Sequence, residues 1–90
     1  MSVKKYQDRV RALGCVVCLH VRGASFFPAD AVHHVESVRD GLSEYAIVPL
    51  CYDHHQGTNG IHGLSRRGFV AMYKLTDVDL LALVAKGLNK

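Results

Sequence analysis

The stretch PLCYDHHQGTNGIHG, residues 49–63, decides how this chain is read, because it places a cysteine, three histidines and three glycines within fifteen positions. The apolar residues before Cys51 extend back to Tyr45 and read as a strand over 45–50, and a short helix is expected after Cys51. Gly57, Gly60 and Gly63 then punctuate a loop.

Cys51-x-x-His54 has a counterpart upstream. Cys15-x-x-Cys18 supplies two more thiols at the same short spacing, and two such pairs can close around one tetrahedral Zn²⁺. Four protein ligands leave no open position, so this ion is expected to be structural. The alternative, three cysteines buried as small apolar residues, leaves the matched pairing unexplained. A thioredoxin-like redox role for Cys15 and Cys18 would need a βαβ pattern that does not surround them. Three cysteines cannot pair completely as disulfides, and the N-terminus does not combine a basic start, an apolar stretch and a small-residue cleavage site. Reduced, intracellular thiols are expected.

Ninety residues read as one domain, 1–90. A chain of this size buries only about 60% of the surface its unfolded form exposes, so a staple such as Zn²⁺ is expected. With 49% apolar and 21% charged residues the composition is globular and excludes disorder. The apolar C-terminal stretch is interrupted by Asp77, Asp79 and Lys86, which excludes a membrane span, and a soluble protein is expected. A net charge of +3 suits a polyanionic partner without selecting one.

Working outward, Val3, Tyr6, Val10 and Leu13 recur at spacings of three and four among Lys4, Lys5, Asp8, Arg9 and Arg11, which predicts an amphipathic helix over 3–13 that Gly14 stops. Residues 15–18 read as a tight turn carrying two thiols, 20–24 as a loop, and 26–35 as a strand weakened at its start by Pro28. A polar loop, 36–44, joins this strand to the second as a hairpin with a long connection. Downstream, Ser65 is expected to cap a helix with Phe69, Met72 and Tyr73 on one face. Thr76, with Asp79 three residues later, resembles a capping box that opens a final helix ending near Gly87.

Five of the six histidines, His33, His34, His54, His55 and His62, fall between positions 33 and 62. If His54 closes the zinc site, four remain for chemistry. His33-His34 ends the first strand and His55 lies in the first turn after the second, so strand, hairpin return and helix are expected to converge on one point. His20, with no partner in sequence, is read as structural.

Cys-x-x-Cys, a strand ending in His-His, and Pro-Leu-Cys-x-x-His-His together resemble the HNH endonucleases. Residues 49–63 followed by Arg-x-x-Phe-x-x-x-Tyr from Arg66 to Tyr73 are similar to the phage recombination-enhancement, RecA-dependent nucleases. The resemblance implies an α+β fold, a small zinc-stapled ββα-metal (HNH) core with an N-terminal helix and two C-terminal helices. It implies that His33 is the strand-borne ligand of a catalytic cation, His34 the general base and His55 the ligand at the start of the helix. His62 is taken as a further ligand, with Asn59, four residues after His55, open as the alternative. The asparagine that such sequences carry five residues before this Cys, where it pins the loop between the strands, is Ala46 here. DNA and a RecA filament are the implied partners, and a phage-encoded protein of the bacterial cytoplasm is the implied setting.

Hydrolysis of a phosphodiester needs an activated water, neutralisation of the developing charge and help for the departing 3′ oxygen. Imidazole exchanges a proton near neutral pH, and the resemblance gives that task to His34. A divalent cation held by His33, His55 and His62 would leave positions open for phosphate and water. Imidazole ligands favour later transition metals over Mg²⁺, so Mg²⁺, Mn²⁺, Ni²⁺ and Zn²⁺ all remain open. Asp30, Asp40 and Asp53 are candidates to orient the imidazoles. Neighbouring side chains on a strand face opposite sides, so a bulge or strand end is required to bring both His33 and His34 to one site. Arg66 and Arg67 are candidate DNA contacts, as are Lys4, Lys5, Arg9 and Arg11, although a solvated basic surface explains each of them more readily. Phe69 and Met72 are expected in the core, and Tyr52 and Tyr73 are expected to pack, with base stacking as the alternative for the two tyrosines. The rival reading is a non-catalytic zinc-binding module for nucleic acid or a protein, and no heptad seam argues for a coiled-coil dimer.

Overall fold

The computed structural model describes residues 2–21, 26–35, 38–39 and 41–89. Helix α1, Val3–Ala12, starts where the Ser2 hydroxyl accepts the Lys5 N–H at 3.2 Å, and it buries Val10 while its lysines and arginines stay in solvent. It ends at Gly14, whose φ of +78° is natural to glycine. A Cβ there would lie 2.7 Å from the Phe26 ring and the Phe27 carbonyl.

The expected turn at 15–18 is in fact the entry to a second helix, α2, Val16–Val21. Cys15 stands just ahead of it, with its N–H donating to Phe27 O at 2.8 Å, and Cys18 lies in its first turn. Positions three apart share one face of a helix, so the spacing that suits a turn suits this geometry equally well.

Strands β1, Ala31–His34, and β2, Ile47–Leu50, form an antiparallel pair in the register Ala31↔Leu50, Val32↔Pro49, His33↔Val48, His34↔Ile47. Both are shorter than expected. The segment around Pro28 stays out of the sheet, and a 3₁₀ turn, Ser43–Tyr45, occupies the expected start of β2. Where an asparagine would pin the connection, Ala46 is buried and its carbonyl accepts the Val35 N–H at 2.9 Å, so the main chain closes the hairpin.

Helix α3, Tyr52–His55, follows Cys51 as expected. Helix α4, Ile61–Tyr73, begins four residues earlier than Ser65 and is broken there, at φ 66° and ψ 165°. The Ser65 hydroxyl accepts the Gly68 N–H at 3.4 Å, so the expected cap exists, but it starts the second segment of a helix whose first turn carries His62. Helix α5, Asp77–Leu88, opens on the expected capping box, with Thr76 N–H donating to Asp79 Oδ2 at 2.9 Å and Asp79 N–H to the Thr76 hydroxyl at 3.2 Å.

The result is a small α+β fold with a two-stranded antiparallel sheet. β2 is buried along its whole length because α1 and α5 pack on it together with α2 and α3. Val10, Val17, Ile47, Leu50, Phe69 and Leu80 fill the centre. Met72 and Tyr52, expected to pack, are 53% and 61% exposed, since nothing among the described residues covers their sides of the short helices. Among the described residues, no helix is long and apolar enough to cross a membrane.

Candidate functional site

Two clusters flank α3. In the first, Cys15, Cys18, Cys51 and His54 are all buried and meet around a common centre. His54 Nδ1 lies 3.5 Å from Cys15 Sγ, 3.4 Å from Cys18 Sγ and 3.2 Å from Cys51 Sγ, and the sulfurs of Cys18 and Cys51 are 3.8 Å apart. A tetrahedron with Zn–S bonds of about 2.3 Å has edges of about 3.8 Å, shorter where nitrogen replaces sulfur, so a zinc ion fits this cage. All three cysteines are free thiols. Burial pushes the Cys15 thiol up, and it pushes Cys18 up to about 12, helped by the neighbouring Cys15 charge. Burial therefore disfavours the thiolate form of these two residues unless a cation lies between them. The ring of Tyr73 stands edge-on to His54 at 5.4 Å, and its hydroxyl donates to the Asn59 carbonyl at 2.8 Å, tying the glycine loop to the cage.

The second cluster gathers His33 from β1, His55 from α3 and His62 from the first turn of α4, each offering a nitrogen within 4.8 Å of the others. The rings meet edge to face, with centroids 5.6 Å apart for His33 and His55, 5.2 Å for His33 and His62, and 4.7 Å for His55 and His62. Burial lowers the pKa of His55 and the neighbouring His62 lowers it further, against the pull of Asp30, so His55 is held as the neutral base a metal requires. Its Nδ1 is buried without a hydrogen-bond partner, at a cost of about 1–3 kcal/mol, as suits a nitrogen available to a cation. The donor set therefore fits a divalent ion.

The glycines of the loop between α3 and α4 permit this convergence by packing on the backbone of α3. A Cβ on Gly60 would lie 2.7 Å from the Asp53 carbonyl, and one on Gly63, in the first turn of α4, would strike the carbonyl of Gly57 in the loop. This close approach carries His62 back to His55.

Not every expected residue joins a cluster. β1 has regular register with no bulge, and His34 points away from His33, 47% exposed, with Nε2 3.6 Å from a Glu44 carboxylate oxygen that sequence reasoning missed. Glu44 also accepts from the Gln7 side chain at 3.2 Å. Asn59 presents its main-chain carbonyl to Tyr73, a bond that leaves its side chain's part in the site open. Of the three carboxylates, Asp30 acts on His55, Asp53 underlies the glycine loop, and Asp40 lies outside the described residues. Arg66 lines a cavity beside His33 and His62 with Ser65 and Asp77, whereas Arg67 is exposed and is not among its walls. His20 is exposed on α2. Glu44 and Asp77 owe their places to tertiary contacts, and no local spacing marks them.

Fold and site together define a small α+β domain with two cation-sized clusters, one closed and thiol-rich, the other open and built of imidazole. Residues 2–80 match the family described as recombination enhancement, RecA-dependent nuclease, and the chain belongs to it. No curated protein and no solved structure matches the chain.

Proposed function

We propose that the chain is a metal-dependent DNA endonuclease of the HNH, or ββα-metal, type, hydrolysing phosphodiester bonds in DNA that carries a RecA filament. The observation that carries this reading is the convergence of His33, His55 and His62 from β1, α3 and α4 one residue away from His34. The order β1, β2, α3 supports the ββα assignment, and the family supports nuclease action and RecA. The sequence resemblance supports one domain over 1–90 of a phage-encoded protein acting in the bacterial cytoplasm.

In this reading Cys15, Cys18, Cys51 and His54 hold a structural Zn²⁺. His33, His55 and His62 hold a divalent cation, Mg²⁺, Mn²⁺, Ni²⁺ or Zn²⁺, that neutralises charge on the phosphate and the departing 3′ oxygen. His34, the last residue of β1, turns Nε2 toward Glu44, which leaves its Nδ1 lone pair to take the proton of the attacking water. Arg66 and Arg67 contact DNA phosphates.

One observation favours a second reading, a zinc-binding module for nucleic acid or protein without catalysis: His34 and His33 face opposite sides of an unbulged strand. Plasmid cleavage with each of the four ions, with and without RecA, decides between them. The nuclease predicts nicked or linear product from the wild type and its loss in His34→Ala. DNA binding without cutting under every ion leaves only the module.

A further inference from the structure

A cavity of about 260 Å³ opens beside the histidine trio, walled by His33, Ile61, His62, Ser65, Arg66 and Asp77. Its charged pair is layered. Asp77 Oδ2 and Arg66 Nη1 are 3.5 Å apart, with the Asp77 side chain 17% exposed and that of Arg66 54%, so the carboxylate sits behind and the guanidinium at the mouth. Ser65 breaks α4 with a positive φ that residues carrying a Cβ seldom adopt, and such departures gather at ligand sites. Its hydroxyl oxygen accepts from Gly68 N–H at 3.4 Å, which leaves its proton to donate to a ligand in the cavity.

We propose that this cavity is a phosphate subsite for the DNA strand, in which Arg66 and the Ser65 hydroxyl contact a phosphodiester next to the one being cut, and Asp77 is the residue that positions Arg66. The inference rests on the nuclease reading and extends it to a named subsite. A guanidinium fork matches phosphate geometry and serves a carboxylate and a phosphate at once. Fixed by Asp77 from behind, Arg66 loses less side-chain freedom when the strand arrives. A carboxylate is tolerable in a phosphate site only behind a cation, which is the layering observed. His33 and His62 belong both to the trio and to the cavity wall, so a strand lying across the trio passes over Arg66.

The test measures binding of a fluorescent DNA duplex over a range of salt, together with plasmid cleavage, for the full chain and for Arg66→Ala, Asp77→Asn, Asp77→Glu and the double variant Arg66→Ala/Asp77→Asn. Arg66→Ala is expected to reduce the salt dependence of log affinity by about one phosphate's worth, a slope change near 1. Asp77→Asn is expected to weaken binding about fivefold, with its effect on cleavage falling on KM more than on kcat, and Asp77→Glu to restore it. In the Arg66→Ala background the sign reverses, because removing an unshielded carboxylate tightens binding. A merely structural Asp77 gives the same loss in both backgrounds, and that result, or an unchanged salt slope in Arg66→Ala, overturns the proposal. Should Asp77→Asn fail to fold in a thermal melt, Ser65→Ala and Arg66→Lys take its place: both bind more weakly if the subsite is real, and wild-type affinity in both overturns it. If no ion supports cleavage by the wild type, the nuclease reading falls while the binding arm still decides the subsite.

Discussion

His54 and His55 are consecutive residues of α3, yet their rings enter different clusters, with His54 Nδ1 3.2 Å from Cys51 Sγ and the His55 ring 4.7 Å from that of His62. A helix rotates successive side chains by about 100°, enough to aim neighbours at two sites. The thiol cage thus holds the turn of backbone on which the imidazole trio depends, and the dependence runs one way. Elemental analysis of purified protein should find His55→Ala still folded with its cage ion and short of the second ion. Cys51→Ala should lose both ions and unfold, since the binding energy of a structural zinc, on the order of 10 kcal/mol, is folding energy. The pH sign follows from the thiols: burial pushes Cys15 up and Cys18 up to about 12, so ligation expels protons and the cage weakens as pH falls. A chelator titration followed by circular dichroism should reach its unfolding midpoint at less chelator in mildly acid buffer than at neutral pH.

His34 and His33 separate catalysis from metal binding. His34→Ala should keep both ions and lose cleavage by about 10²–10⁴-fold, the usual worth of a general base. His33→Ala should lose the second ion along with activity. Metal content and plasmid nicking, measured on the same preparations, check both. Equal metal loss in the two variants would count against His34 as base.

The thiol cage was legible because its ligands come in pairs three residues apart, a spacing that works from a turn or from a helix, so the misreading of α2 as a turn did no harm to it. The approach of His33 to His55 was legible from the order of strand, hairpin return and helix, the family resemblance gave the two residues their roles, and His62 was a choice made against Asn59. What escaped is what only the folded chain brings together. Gly57, Gly60 and Gly63 read as a loop, but they mark where backbone packs on backbone, and the last of them lies inside a helical turn. Glu44 beside His34 and Asp77 beside Arg66 come from other elements of the chain. The alternation rule foresaw that His33 and His34 diverge, and no bulge corrects it.

Tyr73 joins the cage to the loop. Its ring lies against His54 and Phe69, and its hydroxyl donates to the Asn59 carbonyl at 2.8 Å, between His55 and His62 in sequence. Tyr73→Phe keeps the ring packing and removes only that bond, so denaturant unfolding should show a loss of about 1 kcal/mol. The affinity for the second ion should fall while the cage ion stays, because His62 hangs from the loop that the hydroxyl anchors.

The start of α5 gives a test of folding that is independent of metal. Asp79 accepts from both the N–H and the hydroxyl of Thr76, and these bonds hold its carboxyl below its ordinary value of 3.8. A carboxyl with a depressed folded-state pKa adds stability that is fully present above its ordinary value and is lost as pH falls through the lower, folded value. Asp79→Asn should therefore lower the melting temperature at pH 7 and make little difference once both folded and unfolded carboxyls are protonated. Thr76→Ala removes the cap for the Asp79 N–H as well, at a cost of about 1 kcal/mol. Because the cap needs no charge on Thr76, part of that loss should persist in acid, and melting curves of the two variants across pH 2–7 should converge with wild type for the first and stay apart for the second.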